Sequence, residues 1–174
     1  MNRRIRRKKK NRAKRFINIL LTRHFDKPSY LLYYLTGKGY THASIGLGEE
    51  KDTFYSFSTK GFRIERPNNW RKKDRRIYGA VYRLKVTEFV YQSIKKFIYT
   101  IKANQKKYTY NLIGLILAIM DIPSKIKNKF FCSQFVAEAL RVSKLIPSTV
   151  KSSKILPNKI CDLIKSKAYI KKNY

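Results

Sequence analysis

The chain of 174 residues is poor in several residue types, and each scarcity excludes a class of protein. Its two cysteines, Cys132 and Cys161, are too few for a disulfide framework, and no cysteine or histidine spacing matches a zinc site. We therefore expect a reducing compartment and no metal or other cofactor. No window reaches the roughly 18 uncharged apolar residues of a membrane-spanning helix. The protein is thus predicted to be soluble and cytoplasmic, with a peripheral position at a membrane surface left open.

Acidic residues are scarce as well, since 10 Asp and Glu stand against 41 Lys and Arg and give a formal net charge of +31. Residues 1–15 hold a dense block of these basic side chains, which we predict to be a disordered arm. Residues 16–174 are predicted to form a single domain. The excess positive charge favours polyanions, so an anionic membrane surface or a nucleic acid is a candidate partner of the arm. Nothing in the sequence indicates an oligomeric state.

Hydrophobic periodicity and turn residues predict a mixed order of strands and helices. The predicted strands cover 16–22, 39–48, 53–58, 61–66 and 77–86. The predicted helices cover 29–36, a segment capped by Thr87 with Phe89 and Val90 on its buried face, 110–119, 131–145, and a short segment from Pro157. The run 110–119 is almost wholly apolar, so we expect a core helix there. A polar loop is predicted at Pro67–Asn69, and a basic loop at 71–76.

The segment around Cys132 carries the clearest candidate for chemistry. Apolar residues follow this cysteine at the spacing of one helix face, namely Phe135, Val136, Ala139 and Leu140. The thiol would then lie on the buried face in the first helical turn, where free backbone N–H groups and the helix dipole favour a thiolate. The alternative is a small buried residue that only fills the core, as free cysteines often do.

A nucleophilic cysteine needs a base within hydrogen-bonding reach, a group that orients the base, and N–H donors for an oxyanion. Motifs for other chemistries are missing: there is no P-loop, no GxGxxG, no HExxH and no GxSxG. His42 begins a predicted strand whose same face carries Ser44 and Gly46, which leave room for a helix end. His24 lies in a predicted loop, and Cys161 lies inside a short helix without help from the dipole. Cys132 with His42 is the pairing that fits, although a core histidine bonded to a neighbouring strand is the alternative for His42.

Three segments together resemble a known family: Tyr40–Leu47 (YTHASIGL), Phe54–Ser58 (FYSFS) and Phe131–Val136 (FCSQFV). They resemble the circularly permuted branch of the NlpC-type papain-like cysteine hydrolase superfamily, in particular the YiiX/YaeF-like proteins. Lecithin retinol acyltransferase and a poxvirus protein are more distant relatives. The resemblance spans residues 16–145. It implies an α+β fold in which a small antiparallel sheet packs against a nucleophile-bearing helix, with the histidine strand before the cysteine helix.

The resemblance also implies roles for individual residues. Cys132 would be the nucleophile, His42 the general base, and backbone N–H groups at the start of the Cys132 helix the oxyanion donors. The third polar group would stand on the strand after the histidine strand, where Ser56 is the best candidate. A serine departs from relatives that carry a histidine or an acid there, and Glu65 is the alternative.

The implied function is that of a thiol hydrolase or acyltransferase, such as a cysteine peptidase or amidase. Such an enzyme would act on an amide, ester or thioester of a peptide or a lipid through an acyl-enzyme. Two other functions stay open at this point, a basic nucleic-acid-binding protein and a lipid acyltransferase that works at a membrane surface.

Overall fold

The computed structural model describes residues 15–23, 33, 37, 39–71, 78–166 and 168–173. Six strands form one antiparallel sheet in the order β4-β3-β2-β1-β5-β8, and β6 and β7 form a small parallel pair. The strands are β1 (Arg15–Thr22), β2 (His42–Leu47), β3 (Phe54–Ser58), β4 (Gly61–Glu65), β5 (Gly79–Val86), β6 (Thr109–Tyr110), β7 (Lys129–Phe130) and β8 (Ala168–Asn173). The helices are α1 (Pro67–Arg71), α2 (Glu88–Ala103), α3 (Leu112–Ile119), α4 (Cys132–Val142) and α5 (Pro157–Ile164). The architecture is therefore α+β with an antiparallel sheet, which confirms the predicted class.

The core lies on the sheet face that carries every second residue of the central strands. Ile19 of β1 is paired with Ile45 of β2 and with Tyr82 of β5, and all three side chains are buried. Alternation along each strand places one set of apolar side chains on this face. Buried residues of α2, α4 and α5 join the same hydrophobic cluster, including Ile98, Phe135 and Ile160. Burial of this apolar surface is the main stabilising term of the fold.

Most of the predicted elements are present, and the prediction for the start of α2 is confirmed in its cap. The Thr87 hydroxyl accepts a hydrogen bond from the Val90 N–H at 3.3 Å. The predicted buried position of Phe89 is wrong, because this side chain is 63% exposed. The buried face consists of Tyr91, Ile94, Ile98 and Ile101. Those four residues keep the spacing of one helix face, and Phe89 falls outside it.

Three further predictions concern segments outside the sheet core. The loop predicted at Pro67–Asn69 is wrong, since these residues begin α1, with Pro67 at a position where its missing N–H costs nothing. Residues 1–14 of the predicted arm lie outside the described residues, as do most of the predicted helix 29–36 and the basic residues 72–76. Arg15, placed in the arm by the sequence, is the first residue of β1 and pairs with Glu88 at 2.6 Å.

Helix α3 differs from the core helix that was predicted. It begins at Leu112, because Asn111 caps it through a hydrogen bond from the Gly114 N–H at 3.0 Å. Only one face of α3 is buried, where Leu115 and Ala118 pack against Phe131. The opposite face is exposed although it is apolar. Over the part of the chain that the structure describes, no helix combines the length and the apolarity needed to cross a membrane.

Candidate active site

Helix α4 begins at Cys132, and polar contacts made by Gln134 in its first turn fix this start. The Gln134 Oε1 atom accepts hydrogen bonds from the Phe131 N–H at 3.3 Å and from Asn111 Nδ2 at 3.2 Å. The first backbone hydrogen bond of the helix runs from the Phe135 N–H to the Phe131 carbonyl at 3.0 Å. The N–H groups of the first turn of a helix have no intrahelical partner. The Cys132 thiol, 4% exposed, thus lies beside N–H groups that can bind an anion.

His42 is the first residue of β2 and the cross-strand partner of Thr22 in β1. We expected α4 to lie against the strand face of His42, Ser44 and Gly46. The body of the helix instead packs on the other face, since the Phe135 ring lies 5.3 Å from that of Phe57. Phe57 shares its face with Tyr55, which is paired with Ile45 of β2. Only the first turn of α4 reaches the histidine.

Three side chains come together at the ends of these elements. The His42 ring bonds Glu65 at the end of β4, with Nε2 and Oε1 2.7 Å apart, and the Cys132 thiol lies close enough to the same ring to help raise its pKa. The His42 and Glu65 side chains are each 12% exposed, so solvent reaches the edge of this cluster. A thiol, an imidazole and a carboxylate in this order can serve as nucleophile, base and orienting group.

The protonation of His42 follows from its two neighbours. Burial disfavours the charged ring and lowers its pKa, but the negative charge of Glu65 and the hydrogen bonds with Cys132 and Glu65 act in the opposite direction. The balance raises the pKa of His42 well above its ordinary value of 6.5. The raised pKa favours the protonated ring, and a protonated ring can deliver its proton to a leaving group.

At the third polar position the structure differs from the sequence prediction. The Ser56 hydroxyl donates to the Ala43 carbonyl at 2.6 Å, so it binds the backbone of the neighbouring strand. Glu65, the alternative, is the residue that holds the His42 ring. A signal for it existed in the sequence, because Glu65 is the only acid in its predicted strand in a chain with just 10 acidic residues. The resemblance favours Ser56 because it places the third polar group on the strand after the histidine strand, and Glu65 lies one strand further along the chain.

Three buried hydroxyls close to the cluster were not singled out by the sequence. Thr22 Oγ1 is on the cross-strand partner of His42, Ser44 Oγ is two residues along β2, and Ser133 Oγ follows the cysteine. None of the three has a hydrogen-bond partner among the described residues. Buried polar atoms normally have partners.

The other candidate residues are not part of this cluster. The Cys161 thiol donates to the Tyr82 hydroxyl at 3.3 Å, at the edge of the hydrophobic core. His24 lies outside the described residues. Within those residues no group of three or more His, Cys, Asp and Glu is arranged to hold a metal ion.

Comparison with known proteins identifies no relative: no protein-family model, no curated protein and no solved structure matches the chain. The function is therefore inferred from the contacts that Cys132, His42 and Glu65 make with one another.

Proposed function

We propose that the protein is a cysteine hydrolase or acyltransferase with the permuted papain-like topology. In this proposal Cys132 is the nucleophile, His42 the general acid and base, and Glu65 the residue that orients the imidazole. The observation that carries it is the double contact of the His42 ring, with the thiol on one side and the carboxylate on the other.

The first half of the reaction forms a covalent intermediate. The Cys132 thiolate attacks the carbonyl carbon of an amide, ester or thioester, and a C–S bond forms as the carbonyl oxygen becomes an oxyanion. N–H groups at the start of α4 would stabilise that oxyanion. When the tetrahedral intermediate collapses, His42 gives its proton to the leaving group, and the acyl group remains on the sulfur as a thioester.

The second half releases the acyl group. His42, now neutral, takes a proton from water or from an acceptor hydroxyl or amine, which attacks the thioester carbonyl. The C–S bond breaks and the thiolate returns with the protonated ring beside it. Glu65 keeps the ring oriented in both of its protonation states and offsets the positive charge of the protonated ring, and a serine hydroxyl could not offset that charge.

The order of elements supports the proposed topology. The histidine strand β2 precedes the cysteine helix α4 in the chain, the sheet is antiparallel, and the thiol stands at a helix N-terminus. The sequence similarity at Tyr40–Leu47 and Phe131–Val136 supports the same proposal.

The test is site-resolved alkylation of the wild-type protein with iodoacetamide at neutral pH, followed by mass spectrometry. Cys161 serves as an internal reference, because its thiol contacts a tyrosine and no carboxylate–histidine pair. We expect Cys132 to react faster than a free thiol such as glutathione, and His42→Ala to slow it by about tenfold or more. His42→Ala and Cys132→Ala should each abolish hydrolysis of an activated thioester. The proposal fails if Cys132 reacts no faster than glutathione or reacts equally without His42.

Binding of nucleic acid or of a membrane through residues 1–15 stays a prediction, because 14 of these residues lie outside the described part of the chain.

A further inference from the structure

The outer face of α3 presents a row of large apolar side chains to solvent. Leu112, Ile113, Ile116 and Met120 follow one another at helical spacing, and Ile122 continues the row beyond the helix. Their exposed fractions are 51%, 62%, 45%, 63% and 44%. Scattered single apolar residues on a surface need no explanation, but a contiguous row of five marks an interaction site.

Helix α3 is held firmly on its other side, so the exposed row is a fixed surface. Leu115 and Ala118 pack on Phe131, the residue directly before Cys132. The Asn111 side chain caps α3 through the Gly114 N–H and also bonds Gln134 of α4. The row therefore stands on a helix that is attached to the start of the nucleophile helix.

Positive charge flanks this row on both sides in the chain. Lys106 and Lys107 precede α3, and Lys125, Lys127 and Lys129 follow it, all of them exposed. Between residues 105 and 129 the single acidic residue is Asp121, whose carboxylate pairs with Lys154 at 2.7 Å. Of these lysines, Lys125 pairs with Glu138 at 3.2 Å. Exposed apolar side chains with lysines before and after them in the chain match an anionic lipid surface, where the apolar groups enter the acyl boundary and the ammonium groups meet the headgroups.

We propose that the face formed by Leu112, Ile113, Ile116, Met120 and Ile122, which we call the α3 face, docks on an anionic lipid bilayer. A second copy of the chain is a poorer occupant, because it would bring together two molecules that each carry a net charge of +31. Docking would bring the start of α4, and with it Cys132, next to the bilayer. The binding itself does not depend on the chemistry of the thiol, so it can be tested separately from the proposed enzyme activity.

The test is co-sedimentation of the full chain with vesicles of phosphatidylcholine containing about one third phosphatidylserine, at about 0.15 M and 0.5 M salt. The higher salt screens adsorption through the basic arm and leaves apolar insertion. We expect wild type to retain vesicle binding at the higher salt and Ile113→Asn/Ile116→Asn to lose about tenfold or more in partitioning. Cys132→Ala should bind like wild type. Ile113 and Ile116 both lie on the exposed face, so their substitution should not disturb the core. A thermal unfolding scan of the variant checks that it folds.

Two matched controls distinguish docking through the α3 face from nonspecific apolar adsorption and from nonspecific electrostatic adsorption. Phe89→Asn removes an equally exposed apolar side chain from α2 and should leave partitioning unchanged. Lys106→Gln/Lys107→Gln/Lys127→Gln should weaken binding at the lower salt more than a triple glutamine variant of the exposed Lys51, Lys96 and Lys165 does. The proposal is overturned if the α3 variant partitions like wild type, or if wild type at the lower salt binds vesicles of phosphatidylcholine alone as well as it binds the anionic vesicles. It is also overturned if the α3 substitutions change only the oligomeric state, which would assign this face to a second copy of the chain.

Discussion

Glu65 and His42 lie two strands apart in the sheet, and their side chains meet at 2.7 Å. The contact joins one of only 10 acidic residues to one of only two histidines in a strongly basic chain. A carboxylate so placed raises the pKa of the ring, and its removal should therefore change how the ring titrates.

We expect Glu65→Gln to lower the pKa of His42, because burial would then act against the charged ring without the opposing carboxylate. In wild type the ring should titrate well above pH 6.5, and in the variant the midpoint should move toward acid pH. The measurement is an NMR titration of the two histidine ring signals, assigned with His42→Ala. Glu50→Gln is the control, since that carboxylate accepts hydrogen bonds from Tyr55 and Tyr99. An unchanged midpoint in Glu65→Gln would contradict the structure.

The same shift links the site to the stability of the fold. The folded-state pKa of His42 lies above its ordinary value of 6.5, so the charged pair contributes its full stabilisation below that pH. The contribution is lost as the pH rises through the folded-state pKa. Urea unfolding should thus show a larger gap between wild type and Glu65→Gln at pH 6 than at strongly alkaline pH.

Substitution of Ser56 distinguishes the two candidates for the third position. Ser56→Ala removes the hydrogen bond to the Ala43 carbonyl and should cost about 1 kcal/mol of stability. It should leave the alkylation rate of Cys132 within about twofold of wild type, whereas Glu65→Ala should slow it by about tenfold or more. Rates from site-resolved alkylation and free energies from urea unfolding check both statements. If Ser56→Ala slowed the alkylation of Cys132 without lowering stability, Ser56 would be the third residue of the site.

The sequence was sufficient to place Cys132 at the start of a helix and His42 near the start of a strand, because both placements follow from local rules. The proximity of the two residues depends on how α4 packs against the sheet. The apolar spacing after Cys132 sets it on the inner face of a helix start, and alternation along residues 42–47 sets the strand. Glu65 could not be placed in the same way. Its contact with His42 depends on the pairing of β2, β3 and β4 and on the reach of two long side chains, and neither is encoded in a local pattern.

The exposed face of α3 could not be predicted from the sequence for a related reason. Residues 112–119 are apolar on every face, so periodicity cannot indicate which face is buried. The tertiary contact of Leu115 and Ala118 with Phe131 decides it. The face left outside is apolar like the face inside.

Asn111 should affect both α3 and the nucleophile helix. Asn111→Ala removes the cap on Gly114 and the donor to Gln134, and we expect a loss of about 1 kcal/mol in stability together with slower alkylation of Cys132. Asn111→Ser keeps a capping oxygen and loses the donor. It should recover most of the stability while the rate stays low, if the bond to Gln134 positions the start of α4. If Asn111→Ser recovered both the stability and the alkylation rate of Cys132, Asn111 would act only as a helix cap.

Glu138 provides a structural acid that contrasts with the one at the site. It is buried on α4, which by itself would raise its pKa, but hydrogen bonds from Arg141 and Ser152 and the charges of Arg141 and Lys125 lower the pKa to about 2. Because the folded-state pKa lies below the ordinary value of 4.5, the carboxylate stabilises the fold above that pH. The stabilisation is lost as the pH falls toward 2.

We therefore expect Glu138→Gln to destabilise the protein by about 3 kcal/mol at neutral pH, since Arg141 and Ser152 lose a charged partner. The difference from wild type should shrink steadily as the pH falls from 4.5 toward 2. Urea unfolding across this range measures it. Asp162→Asn, which removes an exposed carboxylate from α5, is the matched control and should unfold like wild type at every pH. A constant difference across the range would mean that Glu138 acts through its shape and not through its charge.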